Sequence, residues 1–548
     1  MTRLKTLLFL IIFSPFLQSN PTDDLINALD IDQIEEHISV LASDDFEGRR
    51  PGTKGGKKTV DYIQSRLSSY GVLPVNGESY LQEFKVTQHK PVTSKTLKIA
   101  SSSGTADYSL NEHFIANTKI FDREISIEEV DVVYVGFGIV SEEWEWDDYE
   151  GIDVSGKIVV ALYSDPGIYN AEIFKGKAAT PHAFIASKKQ LALSKGAKGF
   201  FTVLPDPEVA AYNWRAAQSR SRRPAYFIGD DQSSTENEIA MSGMITIETF
   251  KDWLSRSGNG NPDYINLALS EDFKAESLGL KLSVEVGTEV STFNTNNVMG
   301  MIKGSKRPDE HVIYTAHWDH DGITKFPVDG DSILNGAVDN ATGTAMVIET
   351  ARVFSQLPKK PERSILFFLT AAEEMGLLGA EYYVNNPLLP LHDLVAVINT
   401  DASHATHPMR EAVNVVRGHT SLDSIVDVSA SQMGRKILDF KIPEAGIFKR
   451  SDHYPFVKKG IPAVWAVGGS DPMEGDSTEA VNLISTYVNT KYHQVTDEYH
   501  DDFLMGNIQM DARFNLVLGY NLASSSIWPV WTENEKYMAL RDSMNVLR

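Results

Sequence analysis

The chain has no cysteine among its 548 residues. That absence excludes a disulfide scaffold, thiolate metal sites, a cysteine nucleophile and a lipid anchor built on an N-terminal cysteine. Positive charge is scarce as well: 51 Lys and Arg stand against 74 Asp and Glu, a net charge of −23 and a pI near 5.1. An excess of that sign repels phosphate backbones and anionic lipid headgroups, so no nucleic-acid partner is expected. Long apolar runs are missing beyond the first twenty residues. Nothing there approaches the roughly 20 residues that a bilayer-spanning helix needs, and no stable membrane insertion is expected. With 42% hydrophobic and 23% charged residues the chain is a folded globular one, and its length calls for two domains or one large domain carrying an insertion.

The first residues have the layout of a secretory signal. A basic start, Met1 to Lys5, leads into the apolar run Thr6 to Leu17, broken by Ser14-Pro15, and then into the small polar Ser19. Residues 1–19 are therefore expected to be a signal peptide and the protein to be exported, periplasmic or secreted. Removing Arg3 and Lys5 with that segment takes the net charge from −23 to −25.

Thr22 to Leu41 carries apolar residues at three- and four-residue steps and predicts one helix; Pro51 to Gly56 predicts a break, and Thr59 to Leu67 a second helix closing at Gly71. Extended stretches come next around Tyr80 to Val86 and Thr96 to Ile99. From 129 to 265 the texture changes to short β-rich runs, Val130–Val135, Lys157–Leu162 and Gly199–Leu204, with a helix over Ala183–Ser194. No cluster of chemically active residues lies in that stretch. The second half alternates strand and helix, the order that builds a mixed, mostly parallel α/β sheet flanked by helices.

The polar residues of that second half fall at strand ends. His311–Ala316 runs into His317-Trp-Asp-His320, Ser364–Thr370 into Ala371-Ala-Glu-Glu374, and Leu394–Ile398 into Asn399-Thr-Asp401. In open α/β sheets ligands bind outside the carboxyl ends of the strands, so His317, Glu373, Glu374 and Asp401 are expected to converge. Asp339, just before the helix Gly343–Phe354, can reach the same crevice, and His493 in Lys491-Tyr-His-Gln494 is a candidate from a late loop. So many carboxylates on one buried edge repel unless a cation neutralises them. With no thiolate available, two imidazoles and three or more carboxylates suit zinc, cobalt or manganese. Two metals bridged by one carboxylate match the donor count.

These residues resemble a known family. His317-Trp-Asp319, Gly336-Ala-Val-Asp-Asn340, Glu373-Glu374, Asn399-Thr-Asp401 and Tyr492-His493 look like the metal motifs of the co-catalytic zinc exopeptidases of metallopeptidase family 28. Arg450-Ser-Asp-His453 with Pro455-Phe and Gly460–Ala463 resembles a later segment of that family, and Leu41-Ala-Ser-Asp44 with Pro51-Gly-Thr53 its N-terminal stretch. The resemblance implies two zinc ions per chain. His317 and Asp401 would hold one, Glu374 and His493 the other, and Asp339 would bridge them. Glu373 would be the general base, Asp319 would orient the imidazole of His317, and Tyr492 would lend its hydroxyl to the tetrahedral oxyanion. The segment Asp147–Lys157, with the strand after it and the stretch Lys188–Gly199, is similar to a protease-associated domain. That likeness places such an insertion at 129–265, inside a peptidase domain split over 20–128 and 266–548.

The activity implied is release of N-terminal residues from peptide substrates, because an acidic cleft suits a free α-ammonium better than an α-carboxylate. A carboxypeptidase or dipeptidase would share every ligand and differ by a cluster of arginines for the substrate carboxylate; only Arg450 with Lys449 lies near the motifs. A receptor-like protein without catalysis is the non-enzyme alternative.

Overall fold

The structure, a computed structural model, describes residues 21–548 apart from 121–123, 211, 231–237, 259–260, 262, 271, 441–445 and 548. The signal expected over 1–19 lies outside the described residues. The chain divides into two compact units, one made of residues 1–84 and 294–548 and the other of Lys85–Phe293. No helix among the described residues is long and apolar enough to cross a membrane.

The first unit is a mixed sheet flanked by helices. Besides the two-residue strand Leu73–Pro74, which pairs with the end of β1, its strands are that end of β1 (Glu276–Ile302), then β2 (Arg307–His317), β3 (Gly322–Val328), β4 (Asp331–Leu334), β5 (Arg363–Thr370), β6 (Leu394–Asn399), β7 (Glu411–Asn414), β8 (Lys436–Asp439) and β9 (Ala463–Gly468). In space the sheet runs β1-β5-β2-β6-β9-β7-β8, with β5, β2, β6 and β9 parallel and β1 and β7 antiparallel to their inner neighbours; β3 and β4 form a separate hairpin. The parallel strands are apolar on both faces because both are covered. On one face Ile313, Leu366, Phe368 and Val397 pack with Tyr383, Val384 and Phe456 from helices Leu378–Asn385 and His453–Lys458. On the other, Tyr314 and Phe367 stack at 6.0 Å between ring centroids against Phe354 of helix Thr342–Gln356.

Two local expectations are corrected. The expected helix Thr22–Leu41 is two helices, Pro21–Ala28 and Ile31–Leu41, because Asp30 leaves helical geometry and caps the second with its carboxylate. The expected break at Pro51–Gly56 is narrower, since the next helix already starts at Lys54, capped by Thr53. Gly55 and Gly56 lie inside that helix as points of close approach: a Cβ would stand 2.1 Å from the carbonyl oxygen of Phe46 at the first and 2.3 Å from that of Arg50 at the second.

The second unit extends beyond 129–265 on both sides. Strand Thr96–Ser101 pairs with Lys281–Ser283, and Ile125–Tyr134 pairs with Glu276–Val286, so Leu97, Ile99, Tyr108 and Phe114 share one core with Val132, Leu280 and Leu282. These pairings join residues far apart in sequence, which is why a change of texture at 129 does not mark the edge. Its centre is a set of parallel strands, the buried Ile158–Leu162 and Gly199–Val203 and the half-buried Met241–Ile245.

One close approach in the first unit is testable. Helix Gly506–Ser524 crosses β2 so tightly that a Cβ on Gly519 would lie 1.8 Å from the hydroxyl of Tyr314, which itself donates to the carbonyl of Asn515 at 2.8 Å. Gly519→Ala should lower the unfolding midpoint of this unit in calorimetry, at a cost of about 1–3 kcal/mol. An unchanged midpoint would contradict the packing described.

Candidate metal centre

Each expected residue is delivered by the end of an element. His317 closes β2, Glu373 and Glu374 follow β5, and Asp401 follows β6 by two residues. Asp339 comes from the loop that leads into helix Thr342–Gln356, and His493 from the turn after helix Ser477–Thr490. Parallel register sets the first three side by side, with His317 opposite Thr370 and Thr315 opposite Asn399.

The side chains form two sets that share Asp339. His317 Nε2 lies 3.2 Å from Asp401 Oδ1 and 3.2 Å from Asp339 Oδ1. His493 Nε2 lies 3.2 Å from the other oxygen of Asp339, Oδ2, and 3.1 Å from Glu374 Oε1. Groups of donor atoms close enough to hold an ion are His317 with Asp339 and Asp401, His320 with Asp339, Glu374 and His493, and His317 with Glu373 and Glu374. Two N or O donors bonded tetrahedrally to one zinc at about 2.0–2.1 Å stand about 3.3 Å apart, close to all four separations above. The donor set fits a pair of divalent metals.

The loops are held by groups that bear no ligand. Arg49 is fully buried and spends its guanidinium on main-chain carbonyls: Nε donates to Trp318 at 2.9 Å, Nη1 to Leu41 at 2.9 Å and Asn335 at 2.5 Å, Nη2 to Gly336 at 2.9 Å and Asp339 at 3.4 Å. Asp497 accepts from the backbone N–H of Val338 at 3.0 Å and of Asp339 at 3.2 Å. Asn340 donates to the carbonyl of Thr400 at 3.0 Å and accepts from the N–H of Ala402 at 3.3 Å, tying the Asp339 loop to the Asp401 loop. Ala372 takes a left-handed conformation at φ 58°, and past that turn the N–H groups of Glu373 and Glu374 point at the two oxygens of Asp319, 3.1 and 3.4 Å away.

Asp319 serves the site in two ways. It is the backbone carbonyl of Asp319, 3.1 Å from Nδ1, that meets the imidazole of His317. The Asp319 carboxylate instead positions the two glutamates, because the backbone after β2 curls its carbonyl toward the ring and sends the side chain across to the next strand end. Tyr492 is 43% exposed, with its ring against that of His493 at 4.0 Å between centroids.

Three residues near the centre carry no role that the sequence motifs assign. Arg49 bonds to carbonyls, which no motif of side chains reveals. His320 and Asp452 stand inside the quoted motifs: His320 Nδ1 is 2.9 Å from Glu374 Oε1, and buried Asp452 accepts from the hydroxyl of Thr370.

Burial and crowding shift the acids apart. Burial, reinforced by Glu374, Asp401 and Asp452, lifts Glu373 well above the carboxylate range against the pull of His317. Burial likewise raises Asp452 to about 7 and Asp319 to about 6. Asp339 resists its own burial because His317 and His493 hold it well below the usual range. Burial disfavours the His493 cation, but Asp339 and Glu374 outweigh it and raise that imidazole to about 11.

The chain is similar to known peptidases over the region that carries these residues. Residues 297–510, which contain every candidate ligand, match the profile of Peptidase family M28. Among curated relatives, an aminopeptidase NAALADL1 from Rattus norvegicus is 37% identical over 130 residues, 23% of this chain and 16% of that protein. A glutamate carboxypeptidase 2 homolog from Caenorhabditis elegans is 29% identical over 209 residues, 34% of this chain and 26% of that protein. Of the solved structures, the aminopeptidase from Aneurinibacillus sp. strain AM-1 superposes with a TM-score of 0.55 at 18% identity, over 94% of this chain and 98% of that one, which establishes a shared fold. Residues 297–510 are thus similar to a family M28 peptidase domain. The chain spans only about a sixth to a quarter of the length of the curated relatives named.

Metal binding by this centre should release protons. At pH 7 an imidazole held near 11 is protonated, and His493 must lose that proton to ligate, so zinc competes with protons and its affinity rises with pH. Calorimetric titration of zinc into chelator-treated protein, in two buffers of different ionisation enthalpy, should give different apparent heats. Identical heats would contradict the assignment.

Proposed function

We propose that the protein is an exported di-zinc aminopeptidase acting on peptides. The observation that carries this reading is the division of Asp339, whose two oxygens face different imidazole and carboxylate partners. On this reading His317 and Asp401 would hold one zinc, Glu374 and His493 would hold the second, and Asp339 would serve both. When bound, the ions supply Lewis acidity, acidifying water and polarising the scissile carbonyl.

The residues of the chain do the rest. Glu373 takes the proton of the attacking water and returns it to the leaving amine; a carboxyl that burial lifts well above the usual carboxylate range takes up a proton more readily. Asp319 fixes the turn that divides the two glutamates, one facing a metal and one kept for the water. Tyr492, which burial and the surrounding carboxylates keep a neutral phenol, donates its hydroxyl to the oxyanion.

Cleavage at the amino end is favoured because the buried guanidinium at the centre, Arg49, is committed to main-chain carbonyls and cannot receive a substrate carboxylate. Lys449 and Arg450 are exposed. The segment 1–19 is read as the export signal and 129–265 as a protease-associated insertion.

Two experiments test these roles. Glu373→Gln keeps size but cannot take a proton, so kcat should fall about 10² to 10⁴-fold with zinc content unchanged, whereas Glu374→Gln should lose zinc. Near-normal turnover of Glu373→Gln, or zinc loss by that variant, would overturn the division of labour. Acetylating the amine of a peptide substrate should sharply reduce hydrolysis. Faster cleavage of the acetylated form at its free C-terminus would favour a carboxypeptidase.

A further inference from the structure

His320 has no part in the ligand set proposed above, yet it stands within it. Its side chain is fully buried, and Nδ1 lies 2.9 Å from Glu374 Oε1, the same oxygen that is 3.1 Å from His493 Nε2. The two imidazoles meet edge to face, 5.4 Å between centroids and 77° between planes. The other ring nitrogen, Nε2, has no hydrogen-bond partner among the described residues. A carboxylate oxygen only accepts, so the proton of this imidazole sits on Nδ1 and is given to Glu374.

The backbone is shaped to admit this ring. Gly336, at φ 56°, lies beneath it: a Cβ there would stand 2.5 Å from Cδ2 of His320 and 2.7 Å from its Cγ. Gly336 is also one of the carbonyls that Arg49 holds, at 2.9 Å. A histidine that only filled space would not need its donor nitrogen on the oxygen aimed at the second metal position.

We propose that His320 is a positioning residue for the second zinc, its Nδ1–H fixing the rotamer of Glu374 so that Oε1 faces His493 and Asp339. This rests on the two-ion reading and deepens it. Groups that orient metal-ligating carboxylates typically contribute about 10- to 100-fold to metal affinity.

The test measures zinc affinity at each site by competition with a chromophoric chelator, on the full chain, for wild type, His320→Ala, His320→Asn and His320→Gln. Wild type should take up two ions. His320→Ala should lose about 10- to 100-fold in affinity at one site and little at the other. His320→Asn, whose amide nitrogen stands where Nδ1 stands, should recover most of the loss; His320→Gln, whose amide reaches one bond further, should not. Should His320→Ala fail to fold, the contrast between Asn and Gln still decides. Wild-type affinity in His320→Ala overturns the proposal, and so does His320→Asn binding as weakly as His320→Gln, since that would make the imidazole itself a ligand. A wild-type chain that takes up a single zinc overturns the two-ion reading and this role with it, before any variant is made.

Discussion

Everything in the centre is arranged around one shared carboxylate. Asp339 is nearly inaccessible to solvent and offers Oδ1 to the set of His317 and Asp401 and Oδ2 to the set of His493 and Glu374. A carboxylate shared by two sets tolerates little error, because a small displacement toward one set is a displacement away from the other. The loop carrying Asp339 is correspondingly fixed from three sides. Arg49 holds its carbonyls, Asp497 accepts from its N–H groups, and Asn340 ties it to the loop of Asp401.

The same crowding sets the electrostatics. Burying Asp319, Asp339, Glu374, Asp401 and Asp452 around one point in a low-dielectric interior costs several kcal/mol per unpaired charge, so the group is tenable only with cations among it. The imidazoles supply that charge as cations, and divalent ions supply it as metals. Arg49 adds a fixed positive charge from within the fold, and its pKa, lowered by burial to about 10, is supported by Asp497, Asp339, Asp319 and Glu374. One guanidinium thus both orders the loops and offsets their acids.

Much of the site was legible because parallel strands speak plainly: apolar runs buried on both faces end abruptly in His317, Glu373-Glu374 and Asp401, and the sheet brings those ends together. What stayed hidden acts through the main chain or across long sequence separations. Asp319 meets the imidazole of His317 through its backbone carbonyl and sends its carboxylate to the N–H groups of the next strand end, a division that a spacing of two residues does not reveal. Arg49 bonds to peptide groups, which every sequence has. The extent of the second unit comes from strand pairings such as Thr96–Ser101 with Lys281–Ser283, about 180 residues apart, and no local change in composition announces those.

The central claim, that Asp339 bridges two metals, is tested most directly by counting zinc and measuring the distance between ions in one sample. Elemental analysis of the zinc-saturated protein should give two zinc per chain, and X-ray absorption should show a zinc–zinc distance of about 3.5–4 Å, as two-metal hydrolytic sites have. One zinc that cannot be raised to two, or two without a short metal–metal distance, would contradict it.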